Sequence, residues 1–133
     1  MSTSPLDTWH RMVRTNDATD LPALVAEDAV FWSPVVHAAQ PGRKLTVMYL
    51  SAAFKVFFNP TFRYVREIVG PSDAMLEFET QIDGILVNGV DIIKWNDAGQ
   101  IVDFKVMIRP LKGINVIHQK MGEMLQAAQK PAA

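Results

Sequence analysis

The chain has 133 residues, 49% hydrophobic and 20% charged, with 7 Gly and 8 Pro; this is the make-up of one globular domain spanning residues 1–133, and it excludes a disordered or fibrous chain. Thirteen Lys+Arg against 14 Asp+Glu leave a net charge of −1, without the basic footprint of a nucleic-acid binder or a polybasic membrane anchor. No cysteine is present, so disulfides, thiolate nucleophiles, iron–sulfur clusters and cysteine-ligated zinc are excluded.

Met1-Ser2-Thr3-Ser4-Pro5 lacks the basic and apolar regions of a signal peptide. No stretch approaches the ~18 apolar residues of a membrane span, so a cytoplasmic protein with no membrane partner is expected. Ser4 and Pro5 predict a helix start, with Asp7 in the first turn. Leu6, Trp9, His10 and Val13 then recur at helical spacing until Asn16-Asp17. Asp20 is expected to cap a short second helix on which Leu21, Leu24 and Val25 share a face, and Ala29-Val30-Phe31-Trp32 reads as a strand ended by Pro34. Val35 to Gly42 reads as a loop. From Leu45 to Phe58 two apolar stripes, Leu45/Met48/Tyr49/Ala52/Val56 and Val47/Leu50/Phe54/Phe57, predict a helix sandwiched between layers.

After Asn59-Pro60 the period changes to two. Phe62 to Val65 and Met75 to Ile82 alternate, Asp83-Gly84 predicts a hairpin turn, and Ile85 to Trp95 the next strand. Asn96-Asp97-Ala98-Gly99 turns into a last strand, Ile101 to Ile108. Pro110 opens a final helix with Ile114, Ile117, Met121, Met124, Leu125 and Ala128 on its apolar face, and Pro131 lies beyond it. The fold class is α+β, with helices on one face of a curved antiparallel sheet.

Asp91 stands in a strand otherwise built from Val, Ile and Trp. A carboxylate there faces solvent or is desolvated and needs a partner. Alternation puts Val87, Gly89, Asp91, Ile93 and Trp95 on one face, but both faces are mostly apolar and parity alone does not choose the inner one.

Three stretches resemble the nuclear transport factor 2-like superfamily and, within it, the SnoaL-like group: Leu24 to Phe31, Gly89 to Ile101, and Phe104 to Leu111. The resemblance covers essentially the whole chain. It implies a cystatin-like cone, a bent sheet wrapped around helices with an internal pocket, and homodimers paired through the sheet's outer face. It also puts Asp91 inside, matching the isomerases' buried carboxylic acid, which donates a hydrogen bond to a developing oxyanion, and the acid carboxylate of the epoxide hydrolases. The isomerases' general base falls at Ser33, and their oxyanion tyrosine near Trp9 or Arg11. The epoxide hydrolases' arginine falls at Gly89 and their second aspartate at Val106. Neither catalytic set is complete. Burial in apolar walls raises a carboxyl pKa and leaves a donor, whereas a salt bridge or backbone cap is the structural alternative for Asp91.

His37 is the candidate base above the pocket mouth, with exposure to water as its alternative. Tyr49 offers a hydroxyl to the pocket or packs in the core. Arg109 binds a carboxylate or forms a salt bridge at a dimer edge, and His10 and His118 read as surface or interface groups. Trp9, Phe31, Ser33, Phe54, Phe78, Phe104, Val106 and Ile108 are expected to line the cavity. The three histidines lack metal-ligand spacing, and no phosphate loop or nucleophile elbow is present, so no metal and no cofactor are expected. The expected function is an apolar pocket for a small oxygen-bearing ligand. There Asp91 serves as acid or hydrogen-bond donor for an isomerase, cyclase, dehydratase or hydrolase; the alternative is a non-catalytic ligand-binding or dimerisation module.

Overall fold

In the computed structural model, which describes residues 4–129, Ser4 accepts a hydrogen bond from the Leu6 amide at 3.1 Å and opens α1 (Pro5–Thr15). Asn16, in the left-handed conformation at φ 50°, closes it. Leu6, Trp9 and Met12 form its buried stripe. Then follow α2 (Leu21–Leu24), β1 (Val25–Trp32), β2 (Gln40–Pro41), α3 (Arg43–Phe57), β3 (Arg63–Val69), β4 (Asp73–Ile82), β5 (Ile85–Trp95), β6 (Ile101–Arg109) and α4 (Leu111–Gln129). Met1 to Thr3, Pro131 and the side chain of Ala128 lie outside the described residues.

Two local expectations are corrected. The first strand begins at Val25 rather than Ala29, because Val25 pairs with Ile101 and Val30 with Asp103 in a parallel ladder with β6. An irregularity between those pairs leaves Glu27 and Asp28 exposed while Val25, Ala26 and Ala29 stay buried. Tertiary pairing thus overrides the helical spacing of Leu21, Leu24 and Val25. Asp20 makes no side-chain cap; its carboxylate pairs with Arg11 instead. Within the Val35–Gly42 loop, Gln40 and Pro41 pair with Phe31 and Val30 as a minimal edge strand.

The sheet has six strands in the order β2-β1-β6-β5-β4-β3, antiparallel except where β1 meets β6. Asp83 (φ 53°) and Gly84 (φ 78°) both adopt positive φ in the turn that pins β4 to β5, as a two-residue hairpin requires. The inner face carries Leu76 and Phe78 of β4, Val87, Asp91 and Ile93 of β5, and Phe104 and Val106 of β6. Over it α3 buries residues of both its stripes, Leu50, Phe54 and Phe57 on one and Ala52 and Val56 on the other, packing against β1, β4 and α4. α4 buries Val116 and Ile117 and leans on β5 and β6. Each buried Val, Leu, Ile or Phe among them contributes about 1.5–3 kcal/mol. Helices fill the concave side and the convex side is left open. No helix is long and apolar enough to cross a membrane among the described residues.

Candidate functional site

Asp91 lies on the concave face in the middle of β5, its side chain between Leu76 of β4 and Val106 of β6 in cross-strand register. It is 6% exposed, and its neighbours on both strands are apolar. Its partner comes from the edge strand: the Tyr64 hydroxyl donates to Asp91 Oδ2 at 2.8 Å and itself accepts from the Trp9 indole Nε1 at 2.9 Å. The chain Trp9–Tyr64–Asp91 therefore runs from α1 through β3 to β5. Among the described residues the carboxyl has no other hydrogen-bond partner, which leaves Oδ1 free to meet a ligand.

Burial pushes the Asp91 carboxyl up to about 7, while donation from Tyr64 pulls the other way and loses. Near neutrality the group is therefore substantially protonated, and a carboxylic acid can donate where a carboxylate cannot. Burial, and then the charge of Asp91, pushes the Tyr64 phenol well above its usual value, so it stays a neutral donor. Outside Tyr64, His10 packs edge-on against its ring at 5.9 Å and pairs with Glu67.

Around Asp91 the walls are aromatic. Trp9, Phe57, Phe58, Phe62, Phe78 and Phe104, together with Leu50, Ala53 and Val106, leave a hollow of about 20 Å³, room for a single water. Phe78 and Phe62 stack at 5.3 Å, and Phe58 meets Phe62 edge-on at 4.6 Å. Gly89, two residues before Asp91 on the same face, makes this closure possible. A Cβ there would stand 2.5 Å from Phe78 Cζ and 2.7 Å from the Met107 carbonyl oxygen.

Beyond this hollow lies a wider cavity of about 170 Å³. Ala53, Phe57 and Val106 line both spaces and stand between them. The wider cavity is bounded by Phe31 and Tyr49, whose rings stack at 5.0 Å, by Ser33 to Val36, and by Ile117, His118, Met121, Gly122 and Leu125 of α4.

Of the residues predicted to line a pocket, Trp9, Phe78, Phe104 and Val106 surround Asp91, whereas Phe31, Ser33 and Tyr49 border the wider cavity. Phe54 borders neither; it is buried edge-on against Trp9 at 5.4 Å. Ile108 is half-buried at the far end of β6, beside Met107 in surface hollows. The pairing of His37 with Asp91 is corrected: past Val36 the loop swings outward, and exposed His37 shares a shallow hollow with Trp32, Lys105 and Met107. Ser33 Oγ accepts from the Val35 amide at 3.1 Å and shapes that turn. Arg109 is exposed beside Arg66 and Glu77 on the convex face. Of the two candidates for the tyrosine position on α1, Trp9 faces in and Arg11 faces out to Asp20. The phenol comes from β3.

Tyr64 is the residue that sequence reasoning missed. Its signal was present, because it alternates with Phe62 in Phe62-Arg63-Tyr64-Val65 and stands opposite Phe78. His118 is exposed, as expected of a surface group, and it also borders the rim of the wider cavity on one helical face with Met121, Gly122 and Leu125. Among the described residues no group of three or more His, Cys, Asp or Glu side chains converges as metal ligands would.

The SnoaL-like domain model matches residues 6–104. A solved structure of a steroid delta-isomerase from Pseudomonas aeruginosa is 33% identical, with a TM-score of 0.88 over 93% of this chain and 90% of that one. A cystatin-like protein from Silicibacter pomeroyi DSS-3 is also 33% identical, with a TM-score of 0.77 over 87% of this chain and 83% of that one. An NTF2-like protein of unknown function from Mesorhizobium loti, 24% identical with a TM-score of 0.69 over 80% of this chain and 88% of that one, shares the fold. No curated protein matches the sequence. On a family model that spans most of the chain and two relatives one-third identical, this chain belongs to the SnoaL-like family.

Proposed function

We propose that this protein is an isomerase of small β,γ-unsaturated ketones, working by proton transfer with Asp91 as the hydrogen-bond donor to the carbonyl oxygen. One observation carries the reading: a buried carboxyl, held by Tyr64 on one oxygen, faces a hollow that shares Ala53, Phe57 and Val106 with the wall of a larger apolar cavity. When the proton between a carbonyl and a neighbouring double bond leaves, charge builds on the carbonyl oxygen. A protonated Asp91 stabilises that charge most strongly in a site from which water is excluded. The likeness to a steroid delta-isomerase, one-third identical over nearly the whole chain, supports the class of reaction.

The cavity argues for a smaller ligand than a steroid. A dry cavity of ~150 Å³ holds benzene, so about 170 Å³ suits one ring with a short substituent. The probe is cyclohex-3-enone, whose conversion to the conjugated enone is followed by ultraviolet absorbance. The expected result is turnover by the native protein, loss of about 100-fold in Asp91→Leu, and no turnover of a tetracyclic steroid enone. The reading fails if the native protein leaves cyclohex-3-enone unchanged.

A second reading, a non-catalytic pocket for the same ligands, draws on Ser33: its hydroxyl is engaged by the Val35 amide and stands where the resemblance puts the isomerases' base. Binding of the conjugated enone with no turnover favours it. We further propose pairing of two copies through the convex face. Exposed Ile68, Met75 and Met107 cluster there with Val90 between Arg66, Glu77 and Arg109, and sedimentation reads the dimer directly.

A further inference from the structure

We infer that His118 is the proton acceptor working opposite Asp91: its imidazole, on the cavity face of α4, takes the proton from the carbon between carbonyl and alkene and returns it to the far alkene carbon. The inference deepens the isomerase reading and rests on it.

The cavity's lining leads to this residue. Phe31 comes from β1, Ser33 to Val36 from the following segment, Tyr49, Ala53 and Phe57 from α3, Val106 from β6, and the rest from α4. None of these is charged. Tyr49 and His118 are the only titratable side chains among them. Of the two, a neutral imidazole carries a ring nitrogen lone pair able to accept a proton, whereas a phenol offers one. Within α4, the residues one turn either side of His118 are Ile114, Asn115, Met121 and Gly122, so no charge crowds it along the helix either.

Placement fits the chemistry. His118, Met121, Gly122 and Leu125 follow the i, i+3, i+4, i+7 spacing of one helical stripe, and that stripe borders the cavity. Gly122 contributes no side chain one turn beyond His118, and a Cβ there would meet nothing within 4 Å, so the wall stays open beside the imidazole. Ala53, Phe57 and Val106 are common to the walls of this chamber and of the hollow at Asp91, whose backbone pairs directly with that of Val106. On this inference a ring seated in the cavity turns its carbonyl toward Ala53, Phe57 and Val106, on the Asp91 side, and its reacting carbon toward His118 at the exposed rim.

The step balances without any co-reactant. The C–H electron pair becomes the new C=C bond, and the carbonyl π pair moves to oxygen, which Asp91 holds by a hydrogen bond. The proton rides on the imidazole. In the second half the oxygen's electrons restore C=O, the original alkene pair takes the proton back from His118, and the product is the conjugated ketone.

Cyclohex-3-enone isomerisation is measured for the native protein, His118→Gln and His118→Ala from pH 5 to 9, with and without added imidazole. Native activity should rise as the imidazole loses its proton and fall again as Asp91 ionises, with His118→Gln about 100-fold slower and without the rising limb. Imidazole should restore turnover to His118→Ala, which a purely structural histidine does not allow. Native-like turnover and pH profile in His118→Gln overturn the base assignment and leave the isomerase reading standing. An inert native protein overturns both.

Discussion

At the narrow end of the interior, Trp9, Phe58, Phe62, Phe78 and Phe104 close on Asp91 and leave about 20 Å³; at the wide end Val35, Tyr49, Met121 and Leu125 stand around about 170 Å³. The narrow end is built from stacked and edge-on rings on the sheet and on α1 and α3, and its one acid is wired to Tyr64 and Trp9. The wide end is roofed by α4 and a loop. The contrast separates two tasks. Tight aromatic packing desolvates the carboxyl and so biases it toward its protonated form, while the looser end leaves the room on which the proposed function draws.

The largest test of that contrast is thermodynamic. In the unfolded chain the Asp91 carboxyl titrates at the ordinary value, 3.8, and in the folded protein at about 7. Between those values the native state keeps a proton that the unfolded state has released, so this group makes stability fall as pH rises from about 4 to 7 and level off above. A gap of roughly three pH units corresponds to about 4 kcal/mol. Asp91→Asn cannot titrate, and its amide carbonyl can still accept from Tyr64. The variant should therefore gain about 4 kcal/mol on the native protein between pH 4 and pH 8, read from urea unfolding at each pH. All other titrating groups cancel in the difference. Parallel pH profiles for the two proteins mean that water reaches the carboxyl and the narrow end is not sealed.

Much of this architecture was legible in residue order. Ser4-Pro5, Asp83-Gly84 and the two stripes of α3 are local signals, and the structure places an N-cap, a tight hairpin and a doubly buried helix there. Val25 to Asp28 were not legible, since what makes them strand is a parallel partner at Ile101 to Asp103, far along the chain. The candidate site divides the same way. Asp91 announces itself as a carboxylate among apolar neighbours. Tyr64 does not, because its meaning depends on Trp9, 55 residues earlier, and Asp91, 27 residues later. His37 misled for the complementary reason: nearness to Ser33 in sequence says nothing about which way a loop turns after Val36.

A smaller effect sharpens the account of the wire. Tyr64→Phe removes the donor to Asp91 and leaves the Trp9 indole N–H without its acceptor. An unsatisfied buried group costs about 1–3 kcal/mol, so the variant should melt earlier at every pH. The Asp91 titration should move the opposite way to a simple weakening. Tyr64 favours the charged carboxylate, so its loss drives the carboxyl further above 7, visible in the carboxyl carbon resonance. A downward shift means that solvent has replaced the phenol, and that packing of the rings depends on this hydrogen bond.

The smallest effect is expected at His37, and it tests whether the interior ends where the cavity does. His37 is exposed in a hollow lined by Trp32, Lys105 and Met107, while the indole of Trp32 donates to Asp103 Oδ2 at 3.0 Å and the Lys105 ammonium lies 5.1 Å from the Trp32 ring centre. Those contacts hold the hollow's wall without the histidine. His37→Ala should therefore change stability by less than about 0.5 kcal/mol and leave turnover of cyclohex-3-enone, its pH limbs and the Asp91 resonance where they are. If His37→Ala instead loses the rising limb, the loop after Val36 folds inward over the cavity when ligand is bound. The proton would then be accepted on the loop rather than on α4, and the wide end would owe its chemistry to its loop wall rather than to its helix.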